Sequence, residues 1–225
     1  MHKIIHNLLD LLFPPKCPFC RAILKEKDRA FGACHLCNRM LPRAHETGVQ
    51  TLDGVTECVS VLCYKEEVRD AIRRFKFSGR AAYATVFAKL MAEAMEDYME
   101  GGFDLITWVP LSKKRLRERG YDQAKLLALE LASITGMEAH PLLKKEIHTT
   151  AQSLLTDDSA RRANVAGAYC AVNPNLFAGK RVLLVDDVLT TGATLSECAV
   201  TLLAAGAAEV RAVTLAKAFR DEKRV

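Results

Sequence analysis

Residues 182–194 decide the fold, and they read Val182-Leu183-Leu184-Val185-Asp186-Asp187-Val188-Leu189-Thr190-Thr191-Gly192-Ala193-Thr194. The first four residues are apolar, which predicts a buried strand that ends at two adjacent carboxylates. The threonines and the glycine that follow predict the start of a helix. Ligands bind at the carboxyl ends of parallel strands in open α/β sheets, so this stretch predicts a ligand site.

The side chains of this stretch indicate what the ligand is. N–H groups at a helix N-terminus bind phosphate, threonine hydroxyls add donors, and Gly192 lets the backbone approach closely. Asp186 and Asp187 would repel a phosphate unless another group lies between them, and the 2′ and 3′ hydroxyls of a ribose supply that group. Mg²⁺ shared with a pyrophosphate would balance the charge. An ordinary helix cap would explain Asp187 or Thr190 alone, whereas a phosphorylated ribose uses the whole stretch.

Strands and helices alternate through most of the chain. We predict strands at 55–64 (or a hairpin arm), 104–109, 140–145, 182–185 and 210–216, and helices at 66–77, 80–100, 122–135 and 192–205. A basic loop is predicted after the strand at 104–109, a linker at 41–51, and an aperiodic polar segment at 149–162. This order is typical of an α/β fold with a mostly parallel sheet that helices cover on both faces.

The cysteines predict a second, smaller module. Two C-x-x-C pairs, Cys17 with Cys20 and Cys34 with Cys37, lie 13 residues apart in the sequence. Pairs at this spacing favour a tetrahedral Cys₄ zinc site over a redox motif or a coincidence. We therefore predict an N-terminal module at 1–50, with a helix and a zinc ribbon, and a second domain at 51–225. The remaining cysteines are expected to be small buried residues; they are Cys58, Cys63, Cys170 and Cys198.

Composition and charge bound the class of protein. The chain has 225 residues, 50% hydrophobic and 26% charged, which suits a soluble globular protein. No apolar run reaches the roughly 18 residues that span a bilayer. Polar residues interrupt the apolar clusters of residues 1–13, which favours an amphipathic helix over a signal peptide and hence a cytoplasmic protein. The net charge of +5 lies in residues 1–80. This positive charge indicates either a nucleic-acid-binding surface or an ordinary solvated basic surface.

Residues 182–194 resemble the phosphoribosyl pyrophosphate (PRPP) motif of type I phosphoribosyltransferases. Other blocks resemble the ComF family, which joins a zinc-ribbon N-terminus to a phosphoribosyltransferase domain. The likeness covers almost the whole chain, although Asp122 stands where the pattern has Asn. The blocks are 17–37, Phe75-Lys76-Phe77-Ser78-Gly79-Arg80, Val109-Pro110-Leu111 through Lys113-Lys114-Arg115-Leu116-Arg117-Glu118-Arg119-Gly120-Tyr121-Asp122-Gln123-Ala124, and Arg161-Arg162-Ala163-Asn164-Val165-Ala166-Gly167-Ala168.

The resemblance implies a type I phosphoribosyltransferase fold and a PRPP site with Mg²⁺, beside a structural Zn²⁺. The catalytic candidates are then Asp186 and Asp187 on the ribose hydroxyls, Lys113 on the pyrophosphate, and Arg161 in a hood formed by 149–162. The remaining binding candidates are Leu111 and Ser112 in the pyrophosphate loop, and Thr190, Thr191, Gly192, Ala193 and Thr194 around the 5-phosphate.

Two functions fit these features. The first is a phosphoribosyltransferase that moves the phosphoribosyl group of PRPP to an acceptor, within a family linked to DNA uptake in natural competence. The second is a module without turnover that senses PRPP or a nucleotide, while its zinc ribbon and basic N-terminal third bind single-stranded DNA. Competence proteins are further partner candidates. An inert scaffold is disfavoured because both carboxylates and the complete T-T-G-A-T are present. The sequence does not identify the acceptor or the oligomeric state.

Overall fold

The central feature of the computed structural model is a five-stranded sheet. The structure describes residues 14–44, 50–146 and 167–219. The strands are β1 (Gln50–Leu52), β2 (Val55–Cys63), β3 (Leu105–Trp108), β6 (Arg181–Leu189) and β7 (Glu209–Lys217). Their order is β1-β2-β7-β6-β3, with β1 antiparallel to β2 and every other pair parallel. A separate antiparallel pair is formed by β4 (Leu143–Lys145) and β5 (Tyr169–Ala171).

Seven described α-helices accompany the strands. They are α1 (Glu26–Arg29), α2 (His35–Met40), α3 (Glu66–Phe77), α4 (Tyr83–Tyr98), α5 (Lys113–Arg119), α6 (Gln123–Thr135) and α7 (Ala193–Ala204). Side chains of α3, α4 and α6 pack with the N-terminal module on one face of the sheet, and those of α7 pack on the other. Within the described ranges, no helix combines the length and apolarity needed to cross a membrane.

Strand β6 explains why the sequence shows a continuous apolar run. Leu183 and Val185 enter the core beneath α3, α4 and α6, while Val182 and Leu184 enter the core beneath α7. All four side chains are completely buried. Successive residues of a strand point to opposite faces, so a strand buried on both faces requires apolar residues at every position. The predicted α/β fold with a parallel sheet is confirmed.

The structure corrects two predictions about element boundaries. The basic segment after β3 is a helix, α5, and not a loop: the Ser112 hydroxyl accepts the Arg115 N–H at 3.3 Å, and Gly120 closes the helix in the left-handed conformation. The predicted linker at 41–51 is also partly structured. Arg43 forms a β-bridge with Leu62, and β1 begins at Gln50. The helix predicted at 66–77 is confirmed at both ends.

The N-terminal module shares a core with the sheet. Phe19 lies 5.8 Å from the ring of Phe87 in α4, and Arg74 of α3 donates to the carbonyls of Pro18 and Phe19 at 2.8 and 3.0 Å. Cys17, Phe19 and Phe87 are all buried. The division at residue 50 stays a prediction, as does the helix at 1–13, which lies outside the described residues.

Candidate functional site

A cavity of about 180 Å³ lies at the carboxyl ends of β3 and β6. Asp186, Asp187 and Val188 of β6 form one wall, and Val109 and Pro110 after β3 lie beside them. Because parallel strands all end at the same edge of a sheet, residues more than 70 positions apart in sequence meet here. Both aspartates belong to β6, which extends to Leu189, and therefore they do not follow the strand as predicted.

The two carboxylates have different partners. Asp187 is 9% exposed, and its Oδ1 accepts a hydrogen bond from Lys76 Nζ at 2.9 Å. Asp186 Oδ1 accepts the backbone N–H of Asp187 at 2.8 Å. Burial and the neighbouring charge of Asp187 raise the pKa of Asp186 to about 7, although that hydrogen bond and Lys76 act in the opposite direction. The negative charge of Asp186 is therefore poorly compensated, and a bound cation or hydroxyl donor would stabilise it.

The start of α7 lies next to the carboxylates. Thr194 lines the cavity, whereas Thr191 and Ala193 line a neighbouring groove of about 320 Å³. Thr190 is exposed and lines neither one. Gly192 has φ +82°, and a Cβ there would lie 2.6 Å from Leu52 Cδ2. In the described structure, the group packed closely against this glycine is therefore the side chain of Leu52 in β1. Of the predicted phosphate loop, only Thr194 shares the described cavity with the aspartates.

Three further cations line the same cavity. Arg115 and Arg119 of α5 line it together with Lys145 of β4. Lys145 Nζ donates to the Tyr169 hydroxyl at 2.9 Å, and burial and the charge of Arg115 lower the pKa of Lys145. None of these three cations forms an ion pair with another described residue. Cations that converge without a described ion-pair partner favour an anionic ligand.

The predicted pyrophosphate residues have different surroundings. Leu111 and Ser112 line the cavity, but Lys113 is exposed and does not. Arg161 lies outside the described residues. Its segment nevertheless has both flanks at this site, because Lys145 and Tyr169, which bracket residues 146–168, pair across β4 and β5.

Asp122 has a structural role that sequence reasoning missed. Its Oδ1 accepts the Lys125 N–H at 3.2 Å as the cap of α6, and its Oδ2 accepts the Leu111 N–H at 3.0 Å. An asparagine offers only one acceptor oxygen, so it could not accept these two bonds on separate oxygens as Asp122 does. Burial raises the pKa of Asp122, and the charge of Asp187 adds to this rise. Asp122 thus fixes the loop at Leu111 to the start of α6.

Several cavity residues were not singled out from the sequence. Lys76 appeared only inside a block of the family resemblance, and its neighbour Phe77 is 67% exposed. Arg119 stacks over that ring at 5.3 Å and donates to Gln123 Oε1 at 2.7 Å. The contacts of Arg119 with the exposed ring of Phe77 and with the buried amide of Gln123 are ones that only the fold reveals.

The four N-terminal cysteines meet in space. Their sulfur atoms all lie within 4.8 Å of one another, and Cys20 and Cys34 are 3.6 Å apart. Four sulfurs around a tetrahedral zinc at 2.3 Å would be about 3.8 Å apart, so the cluster fits this ion. Burial and the other cysteines raise the pKa of Cys37 strongly, and a bound cation would reverse this because it stabilises thiolates. Cys17, Cys20, Cys34 and Cys37 could hold a structural zinc.

Comparison with known proteins identifies the family. A family model described as the phosphoribosyl transferase domain matches residues 126–225, which include β6 and the start of α7. Competence protein F of Haemophilus influenzae is 35% identical over 161 residues, which are 69% of this chain and 70% of that protein. The chain belongs to the ComF family. Together with the mostly parallel sheet, this gives the ComF chain the type I phosphoribosyltransferase fold.

Further relatives are similar to this chain over different shares of their length. Competence protein ComFC of Streptococcus pneumoniae is 29% identical over 158 residues, 70% of this chain and 67% of that protein. DNA utilization protein YhgH of Salmonella typhimurium is 29% identical over 222 residues, 89% of this chain and 96% of that protein. These relatives are named for competence and for DNA utilization.

Proposed function

We propose that this ComF chain binds PRPP with Mg²⁺ in the cavity at the end of β6 and transfers its phosphoribosyl group to an acceptor. The observation that carries the proposal is the presence of both kinds of charge in one small cavity. Asp186 and Asp187 line it together with Arg115, Arg119 and Lys145. A ligand that matches this lining carries hydroxyls, which the carboxylates can bind, and a strongly anionic group, which the cations can bind.

PRPP has that arrangement. Its ribose hydroxyls would donate hydrogen bonds to the carboxylates of Asp186 and Asp187. Its 5-phosphate would accept hydrogen bonds from the N–H groups and hydroxyls of residues 190–194. Thr194 supports this orientation because it lines the cavity next to the aspartates. The proposal also includes hydrogen-bond donation to the 5-phosphate by Thr190, Thr191, Gly192 and Ala193.

The cations would act on the leaving group. Departure of pyrophosphate from C1′ leaves a positively charged sugar and a polyanion, so catalysis depends on charge neutralisation and on excluding water. Arg115, Arg119 and Lys145 are positioned for the polyanion, and Lys113 and Arg161 are the cations that the family pattern favours. When bound, Mg²⁺ would neutralise further pyrophosphate charge. The carboxylates of Asp186 and Asp187 are oxygen ligands of the type that this ion prefers.

The cysteine cluster would stabilise the fold and take no part in the reaction. We propose that Cys17, Cys20, Cys34 and Cys37 hold a structural Zn²⁺, on the strength of the sulfur spacing. A reduced Cys₄ site is stable in a reducing compartment, and this favours the cytoplasm.

Two measurements test the reaction and the cations. In the first, labelled PRPP is incubated with candidate acceptors, and a labelled product that requires both the acceptor and Mg²⁺ would show transfer. Absence of such a product with purines, pyrimidines and amines would favour a sensor without turnover. In the second, the affinity of Arg115→Met is measured for PRPP and for ribose 5-phosphate. We expect PRPP affinity to fall about tenfold or more, and ribose 5-phosphate affinity to change little, because only PRPP carries the pyrophosphate.

Arg117→Met is the matched control, since Arg117 is exposed on the same helix and does not line the cavity. A parallel loss of both ligands in Arg115→Met would contradict the assigned orientation. The same pair of affinities for Lys113→Met decides whether this exposed lysine also contacts the pyrophosphate.

A further inference from the structure

Lys76 links helix α3 to the carboxylate wall of the cavity. It lies in the last turn of α3, and its Nζ is 2.9 Å from Asp187 Oδ1. Both side chains are largely buried, at 17% and 13% exposure. Because solvent screens a buried pair weakly, the attraction between these two charges is greater than in an exposed ion pair.

The surroundings of Lys76 combine a fixed backbone with a flexible side chain. The preceding residue, Phe75, is completely buried, and its carbonyl accepts a hydrogen bond from the Tyr121 hydroxyl. Arg119 stacks on the ring of the following residue, Phe77. A lysine has four rotatable side-chain bonds, so its ammonium can move within the cavity while the helix stays in place.

Lys76 occupies the position that a bound cation would use. It contributes the one described ammonium within hydrogen-bonding distance of Asp187, which lies beside Asp186 and near Asp122 in a carboxylate-rich wall. A divalent ion at this wall would have to approach a second positive charge within a few ångströms, and that repulsion is large at low effective dielectric. Arg115 and Arg119 lie in the same cavity and offer Lys76 no counter-charge, whereas an anionic ligand would.

We propose that Lys76 is a positioning residue that holds Asp187 in the free protein and moves to the phosphates of the ligand on binding. The identity of that ligand rests on the proposed function. The exchange has two consequences of opposite sign. Lys76 excludes a divalent ion from the empty site, and it contributes affinity when the ion arrives together with the phosphorylated sugar. The site therefore takes the metal and the ligand as one complex.

A purely structural ion pair between α3 and β6 predicts something else. In that case, loss of Lys76 would lower the melting temperature and would leave the affinity for a divalent ion unchanged. The two roles are separated by measuring the metal alone, without any sugar phosphate.

The test measures Mn²⁺ binding by electron paramagnetic resonance in the full-length zinc-loaded protein. The variants are Lys76→Met, Lys76→Arg, and Lys65→Met as the control, because Lys65 is an exposed lysine next to the opposite end of α3. We expect Lys76→Met to bind Mn²⁺ about tenfold more tightly than the wild type, while Lys76→Arg and Lys65→Met match the wild type. Combining Lys76→Met with Asp187→Asn should abolish the gain.

Calorimetry with PRPP and Mg²⁺ gives the second arm, in which Lys76→Met should bind PRPP about tenfold more weakly. Unchanged Mn²⁺ affinity in Lys76→Met, with a melting temperature that shows a folded protein, would overturn the proposal. If Lys76→Met does not fold, Lys76→Gln, which keeps a hydrogen bond to Asp187 without the charge, carries the same test. A wild-type protein that fails to bind PRPP would refute the proposed function, and the Mn²⁺ arm would still decide the role of Lys76.

Discussion

Replacing Gly192 by alanine should destabilise the protein for two separable reasons. At φ +82° an alanine pays about 1–2 kcal/mol for the left-handed conformation. Its Cβ would also lie 2.6 Å from Leu52 Cδ2, and relieving such a contact costs about 1–3 kcal/mol. Leu52 is partly exposed and can shift, so the lower half of that range applies. We expect Gly192→Ala to lower the free energy of unfolding by about 2–4 kcal/mol.

Urea denaturation of the wild type and four variants separates the two costs. Gly136 also has a positive φ, of +70°, but a Cβ there meets nothing within 4 Å, so Gly136→Ala measures the backbone cost alone. In a Leu52→Ala background, Gly192→Ala should cost only as much as Gly136→Ala does in the wild type. A coupling energy between Gly192→Ala and Leu52→Ala below about 0.5 kcal/mol would refute this account of the glycine.

Three further predictions concern the other parts of the molecule. Asp122→Ala should lower the free energy of unfolding by about 2 kcal/mol and weaken PRPP binding, because α6 loses its cap and Leu111 N–H its acceptor; urea denaturation and calorimetry check this, and an unchanged stability would contradict it. Asp186→Asn should have a higher free energy of unfolding than the wild type, and the difference should grow from pH 4 to pH 7 and then stay level, with an upper bound of about 4 kcal/mol. The reason is that the carboxyl of Asp186 ionises at lower pH in the unfolded chain than in the folded protein, so ionisation destabilises the wild type. Urea denaturation at several pH values checks this, and a difference that shrinks with rising pH would disprove it. Cys17→Ser, or zinc removal by a chelator, should loosen residues 14–44 while the sheet persists at a lower melting temperature, since Phe19 leaves Phe87; calorimetry showing a single transition would contradict the boundary at residue 50.

The parts of the fold that could be predicted are those with strong local patterns. The run at 182–185 predicted a strand buried on both faces, and the 3.6-residue period at 66–77 predicted α3 to the residue. The extension of β6 through Asp186 and Asp187 could not be predicted in this way, because aspartate is uncommon in strands. It follows from pairing with β7, in which Val188 lies beside Ala216.

Helix α5 was missed for a related reason. It has no buried residue, so it lacks the apolar period that reveals a helix. Its lysines and arginines are good helix formers, and Ser112 is a favourable cap, but these signals are weak alone.

The site was predictable where its residues are adjacent in sequence and unpredictable where they are not. The two aspartates stand together, whereas Lys76 is 111 positions from Asp187 and Lys145 belongs to a three-residue strand. The chain has 32 lysines and arginines, and no local pattern tells which of them face one cavity. Sequence reasoning favoured Lys113, yet Arg115 and Arg119, at a spacing of one helical turn, are the members of α5 that line the cavity.

The central claim is that the carboxylates of β6 bind the ribose of PRPP. Calorimetry with PRPP and Mg²⁺, on the wild type and on the Asp186→Asn/Asp187→Asn double variant, tests it most directly. Both substitutions preserve side-chain volume, and the melting temperature of the double variant reports whether the fold is kept. We predict that the wild type binds and that the double variant loses about a hundredfold or more in affinity. Equal affinity in the two proteins would contradict the account.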